Sequence, residues 1–357
     1  MSRAPAHLSG PRVLGERQRD ERQRDVQRIL DRARSLVNDR ASLVAPLVRS
    51  TGLSPAGVEH ALLHHLEVGA APEDIRRLVA CAGDAPHVHV LLSANVFVAA
   101  LRAIVLARAA APQVTVRPSS RDPFFAEALV RALGDPAIRL VPDTIPAMTE
   151  GEIHVYGRNE TIAKVRASAP PHVIVRGHGA GMGVACIWDD FDRAADALAD
   201  DIVVFDQRGC LSPRLAFVSG VPAASFAEKL HASLAARELR IPRGELADDE
   251  REDARRYAET LRFAGVLYEG SAHLVGVAPR VVIPPTGRHL HIVPVAEIDA
   301  LPDALAPLAT SIVAIGATDA ARRLAWPAHA RLSALGAMQR PPLDGPVDRR
   351  LPHPASP

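Results

Sequence analysis

The chain has 357 residues, 48% of them apolar, and its 42 basic and 41 acidic side chains leave a net charge of +1. That length predicts two domains with room for a third. The balanced charge excludes a general nucleic-acid or membrane-surface binder, and an aromatic content of 4% argues against base-stacking platforms. Cys81, Cys186 and Cys210 lie far apart with no Cys-x-x-Cys pair, so neither a disulfide framework nor a metal site is expected. A reduced, cytoplasmic setting is the expectation. Met1–Asp20 lacks the apolar core of a secretory signal, and the stretch Val96–Ala111 is broken by Arg102 and Arg108, so no membrane span is expected.

Residues 1–22 read as a disordered arm whose repeated Arg-Gln-Arg-Asp unit could support the start of a helix. From Val26 to Val48 apolar residues recur at three and four, predicting one amphipathic helix. Ser54-Pro55 is a helix start, with a second helix running to about Val68, and Pro72 opens a third that ends near Gly83. The character then changes. Short strands are predicted at His87–Leu92, Gln113–Arg117, Ile138–Val141, Ile153–Tyr156 and His172–Val175. Helices separate them at Val96–Ala110, Pro123–Leu133 and Asn159–Ala167. This alternation predicts an α/β fold, a parallel sheet covered on both faces, of dinucleotide-binding type but without Gly-x-Gly-x-x-Gly. A second segment from Trp188 carries a helix to Ala199, a strand at Ile202–Phe205, a Gln207–Arg214 loop and a strand at Leu215–Val218. A helix at Pro222–Ala236 and an exposed helix within Arg243–Arg262 follow, then strands at Val281–Ile283 and Leu290–Val293 and a helix at Ile298–Leu308. Residues 339–357, rich in proline and charge, read as a disordered tail.

Cys210 is the candidate nucleophile. It sits in a turn with Gly209, between Arg208 and Arg214, and a helix start at Ser212-Pro213 together with those charges would favour the thiolate. The alternative is a buried structural cysteine, the reading given to Cys81 and Cys186. Gly177-His-Gly-Ala-Gly-Met-Gly183 follows a strand, and its glycines suit either close backbone approach to a ligand or an interdomain turn. His178 within it is a candidate base or donor. Asn95 begins the loop between a strand and an apolar helix, where its amide suits an oxyanion or a helix N-cap.

At these residues the chain resembles the aldehyde dehydrogenase superfamily, and within it the acyl-CoA reductase branch typified by LuxC fatty acid reductases. Phe205-Asp-Gln-Arg-Gly-Cys-Leu-Ser-Pro-Arg214 is very similar to the Asp-Gln-x-x-Cys-x-Ser-Pro context of that branch's nucleophile. Four weaker segments follow in order. Ser93-Ala-Asn95 resembles the oxyanion loop. Arg117-Pro-Ser119 resembles the Lys-Pro-Ser that holds the adenosine ribose. Gly157 to Thr161 resembles the turn near the cofactor phosphates. Val175-Arg-Gly-His-Gly179 sits where hydrolytic members carry Glu-Leu-Gly-Gly-Lys.

The resemblance implies two Rossmann-type domains after an N-terminal helical region. It divides the chain into residues 23–84 (helical), 85–187 with part of 310–337 (NAD(P)-binding) and 188–309 (catalytic). It implies NADPH, with NADH also compatible, held by Arg117, Ser119, Gly157, Thr161, Gly177 and Gly179. Arg117 in place of lysine suits a 2′-phosphate. It implies Cys210, Asn95 and His178 as catalytic residues, an acyl-CoA or acyl-carrier substrate, an acyl-transferring partner enzyme and a homo-oligomer. The water-activating glutamate of hydrolytic members falls near Arg176 or Gly177 and is missing, which favours reduction of a thioester over oxidation of an aldehyde. An acyl-phosphate reductase and a non-catalytic subunit keeping the fold are the alternatives.

Overall fold

The computed structural model describes residues 15–145 and 147–350. Its helical N-terminal region comprises α1 (Glu16–Asn38), α2 (Arg40–Thr51), α3 (Pro55–His64) and α4 (Pro72–Ala82). Val26, Ile29, Leu30, Ala33 and Leu36 form the buried stripe of α1, which is the three-and-four spacing read from the sequence. The single helix expected through Val48 is instead two, divided at Asp39. The arm expected to be disordered is helical from Glu16 on, with the Gln18 side chain accepting the Gly15 N–H at 3.0 Å; residues 1–14 lie outside the described residues. Ser54 caps α3 through its hydroxyl, 3.1 Å from the Gly57 N–H, ahead of Pro55.

The first sheet follows: β1 (His87–Leu91), α5 (Ala99–Ala110), β2 (Gln113–Arg117), α6 (Phe124–Leu133), β3 (Ile138–Leu140), β4 (Gly151–Tyr156), α7 (Asn159–Ser168) and β5 (Val173–His178). Its order is β3-β2-β1-β4-β5, all parallel. The chain moves outward from β1 through β2 and β3, then returns to β1's other side with β4. The switch point, where ligands of open α/β sheets bind, therefore lies between the carboxyl ends of β1 and β4. Helix α5 is buried on all sides, and its Arg108 is neutralised by Asp25 of α1 at 2.6 Å. No described helix is long and apolar enough to cross a membrane.

The second sheet contains β6 (Met182–Ile187), α8 (Phe191–Val203), β7 (Pro213–Val218), α9 (Ala223–Glu238), α10 (Asp248–Ala264), β8 (Val266–Glu269), β9 (Leu274–Val277), β10 (His289–Pro294), α11 (Leu301–Leu305), β11 (Ile312–Ala317) and β12 (Arg331–Ala334). The order is β12-β11-β6-β7-β10-β9-β8, parallel except for the β8–β9 hairpin. This corrects the domain limits read from the sequence. Residues 182–187, 312–317 and 331–334 pair within the second sheet, not the first, so the first sheet ends at His178. The strand expected at Ile202–Phe205 is the end of α8 and a 3₁₀ turn, and Val281–Ile283 forms no strand. Short apolar runs do not distinguish a strand from a buried helix end. The tail expected from residue 339 is placed as far as Arg350 without regular structure, with Leu343 only 3% exposed; residues 351–357 lie outside the described residues.

Candidate active site

Chain leaves the first sheet at the carboxyl end of β5 and enters the second at the amino end of β6 only a few residues later. The carboxyl edge of one sheet thus adjoins the amino edge of the other. The loop between α8 and β7, residues 204–212, lies on that boundary, and a Cβ on Gly209 would stand 3.2 Å from Val96 of the loop after β1. The Cys210 loop and the Asn95 loop are therefore neighbours.

Three consecutive residues of the loop, Phe205, Asp206 and Gln207, hold positive φ (53°, 49° and 65°). Left-handed backbone costs roughly 1–2 kcal/mol per non-glycine residue, so the surroundings must hold it. The Phe205 ring is buried beside His65 and Phe97, with centroids at 5.6 and 6.3 Å, which fixes the second sheet's loop in the first sheet's core. Asp206, 1% exposed, accepts the Gly244 N–H at 3.0 Å and pairs with buried Arg288 at 2.7 Å. Arg288 is shared with Glu238 at 2.8 Å. Gln207 donates to the carbonyls of Pro213 (2.6 Å) and His289 (2.7 Å) and accepts the His289 N–H (2.9 Å). The Asp-Gln pair of the motif thus fastens the loop to β7, to β10 and to Arg288. Arg288 escaped the sequence reading, because nothing local distinguishes it from the chain's other arginines.

Cys210 follows this clamp, half-buried against Val313, Ala314, Met338 and Val347. Two expectations for it are corrected. Ser212-Pro213 opens a strand and not a helix, and neither flanking arginine approaches the thiol. Arg208 binds the Thr51 carbonyl and Glu250, and Arg214 binds the Pro284 carbonyl. Burial first, then the charge of Asp348, push the thiol up to about 11, against the opposing influence of Arg350 and Arg331.

Asp348 and Arg350 belong to a strap, residues 339–350, that crosses the boundary beside Cys210. Arg102 of α5, its side chain 4% exposed, donates to the carbonyls of Pro341 (2.8 Å), Pro342 (3.1 Å) and Gly345 (2.8 Å) while paired with Glu67 at 2.6 Å. Arg331 of β12 binds Asp344 and the carbonyls of Pro346 and Val347. Gln339 donates to Ser212 at 2.9 Å. Arg350 pairs with Asp348 at 2.7 Å and reaches the Ala180 carbonyl at 3.0 Å.

The remaining sequence-predicted residues separate into two groups. Asn95 is exposed, and its carbonyl oxygen accepts from Arg121 at 3.3 Å, which leaves the amide N–H groups able to donate. It is not the cap of α5, which begins at Ala99. His178 ends β5, stacked on Tyr156 at 4.5 Å, and burial lowers it to about 4, so it is neutral near pH 7. Its other charged neighbours include Asp348 and Arg350, the pair that also faces Cys210. Arg117 ends β2 with its Nε on the Pro142 carbonyl at 3.1 Å, so its terminal nitrogens remain available. Ser119 accepts from the Arg121 N–H at 3.3 Å. Gly157, at the end of β4, would find nothing within 4 Å of an added Cβ, and Thr161 is exposed in the first turn of α7. Gly177 and Gly179 differ: added Cβ atoms there would meet Ile162 and Asn159. Their small size seats α7 on β5.

Arg176, beside the glycine run, holds Glu152 at 2.6 Å, with His154 on the same carboxylate at 2.8 Å. Burial alone would raise this carboxyl, but Arg176 and His154 hold it down to about 2, so it is no base. Arg117, Gly157 and the amino end of α7 surround the switch point with a free guanidinium edge and open backbone, a donor set that fits a dinucleotide.

The architecture is that of an aldehyde dehydrogenase-like protein. It is similar to proline utilization A of Bradyrhizobium japonicum (TM-score 0.67, 16% identity, 93% of this chain and 42% of that one). It is also similar to a Mycobacterium tuberculosis aldehyde dehydrogenase complexed with NAD+ (0.63, 15%, 83% and 73%) and to Escherichia coli lactaldehyde dehydrogenase (0.62, 16%, 84% and 74%). The chain spans about two fifths of the proline utilization A length. No curated protein sequence matches. The profile of the acyl-CoA reductase (LuxC) family matches residues 77–339, and the chain belongs to that family.

Proposed function

We propose that the protein reduces an acyl-CoA thioester, of fatty acyl type, to the aldehyde through a thioacyl intermediate on Cys210. The observation that carries this reading is the placement of a clamped cysteine loop against the Asn95 loop in a member of the LuxC family. The Cys210 sulfur attacks the thioester carbonyl, the carbon–sulfur bond to CoA breaks, and CoA leaves as its thiol with the proton of Cys210. Asn95 donates to the oxygen that gathers charge. His178, neutral, is a hydrogen-bonding group and not a proton reservoir. Arg117, Ser119, Gly157 and Thr161 would hold the cofactor, with NADPH favoured by the guanidinium of Arg117. When bound, reduced nicotinamide supplies the hydride that, with a proton, converts the thioester to aldehyde and free thiol. The strap crowds the half-buried thiol and places Asp348 beside it; moving it aside would lessen both effects and favour the thiolate. With Glu152 engaged by Arg176 and His154, hydrolysis of the thioacyl group lacks a base there.

The test is Cys210→Ser with a fatty acyl-CoA and NADPH, followed by NADPH oxidation. The variant should lose activity by at least about a thousandfold. Undiminished oxidation would refute the reading. Turnover of acyl phosphate in place of acyl-CoA would reassign the substrate.

A further inference from the structure

A cavity lies away from Cys210, between α10 and the β8–β9 hairpin. It encloses about 320 Å³ and is lined by Arg243, Arg255, Arg262, His273 and His289 among others. Its charges divide into two kinds. Arg251, Arg255 and Arg262 are satisfied at the rim by Asp248, Glu252, Glu259 and Glu269. Deeper in, Arg243 has no carboxylate partner within ion-pair distance among the described residues; one terminal nitrogen donates to the carbonyls of Ala272 (2.7 Å) and Gly287 (3.2 Å). That bond fixes the guanidinium and leaves its other N–H groups to a ligand.

His289 is the stronger sign. It is 2% exposed, yet neither ring nitrogen has a hydrogen-bond partner. A buried polar group without a partner costs about 1–3 kcal/mol, and such a group on a cavity wall marks a place that a ligand completes. The buried Nε of Arg214 is likewise unpaired. Burial first, then Arg243, Arg214 and His273, hold the His289 imidazole neutral, at about 3. The two arginines among these groups are both positively charged. His273 is held in place by His231 at 2.9 Å. The site thus offers guanidinium N–H groups of Arg243 and one imidazole N–H of His289 that no protein group takes up, with Asp206, Glu238 and Glu250 acting on Arg243 from farther off. Its volume exceeds that of a bare oxyanion.

We propose that this cavity binds a phosphoryl group, floored by His289 and gripped by Arg243, arriving as free phosphate or as the monoester of a larger ligand. The tetrahedral oxyanion supplies acceptors for the guanidinium edge and for one imidazole N–H. The floor is also mechanically linked to the nucleophile loop, since Gln207 binds both backbone groups of His289. This assignment does not depend on the reaction at Cys210.

The experiment titrates the histidine-labelled full chain with inorganic phosphate and follows the imidazole C2–H resonances, with potassium chloride at matched ionic strength as the control. The expected result is a saturable shift of the His289 and His273 signals with phosphate alone. Near tenfold above half-saturation, a rise in Tm of about 2–4 °C should accompany it, and both effects should be absent in Arg243→Gln. No shift at His289 in the wild-type chain, or an equal one with chloride, overturns the proposal whether or not the variant folds. Competition separates the sources. Stronger displacement of phosphate by CoA than by dephospho-CoA assigns a phosphate monoester, and displacement by neither assigns free phosphate. Because the readout is binding, it stays decisive even if acyl-CoA reduction fails its own test.

Discussion

Replacing Asp206 by alanine should destabilise the protein by about 3 kcal/mol. Asp206 carries two loads: it is the buried counter-charge of Arg288 at 2.7 Å, and it accepts the Gly244 N–H at 3.0 Å. Removing one partner of a buried ion pair costs about 3–5 kcal/mol, and an orphaned amide adds to that. Arg288 keeps Glu238 at 2.8 Å and the Ile241 carbonyl at 2.7 Å, which sets the cost at the low end. Three left-handed residues then lose a restraint that holds them, so activity should fall through misplacement of Cys210. Urea unfolding measures the first effect as a lower midpoint at unchanged slope. Asp206→Asn keeps an acceptor and tolerates the left-handed region, so it should cost less than half as much. A loss below about 1 kcal/mol in the alanine variant would refute the clamp.

Alkylation of Cys210 should climb with pH toward about 11, because burial and Asp348 raise the thiol. Asp348→Asn should move that profile to lower pH, as read by mass spectrometry of the Cys210 peptide. Arg102→Leu removes the donors to three strap carbonyls and should speed the same alkylation by about tenfold or more at pH 8 by exposing the thiol. Glu152, held at about 2 against an ordinary 4.5, contributes stability that is full above pH 4.5 and is lost as pH falls toward 2. At ~1.4 kcal/mol per pH unit that amounts to about 3 kcal/mol. Glu152→Gln should therefore flatten the dependence of stability between pH 5 and 2, seen in urea midpoints.

The Asn95 and Cys210 segments were legible because both carry local signals: an Asn after a strand, and a cysteine in a ten-residue motif. The strands of the first sheet were legible for the same reason, being short apolar runs set between turns. What escaped depends on long-range pairing. Met182–Ile187 reads as a continuation of the glycine run, and only its partners β7 and β11 assign it to the second sheet. The strap has no periodicity, so composition alone suggested disorder; its order comes from Arg102 and Arg331, distant in sequence from much of what they bind. Arg102 did leave a trace. An arginine buried in an apolar helix needs partners, and those of Arg102 proved to be Glu67 and strap carbonyls. The expected effect of Arg208 and Arg214 on the thiol failed because sequence proximity says nothing about side-chain direction.

The central claim is a covalent acyl group on Cys210. The most direct measurement is the intact mass of the wild-type chain incubated with a fatty acyl-CoA and no cofactor, followed by peptide mapping and addition of NADPH. The account predicts one added acyl mass on the Cys210 peptide, absent in Cys210→Ala and discharged as aldehyde once NADPH is supplied. An unmodified Cys210, or an acyl group carried on Cys81, would contradict it.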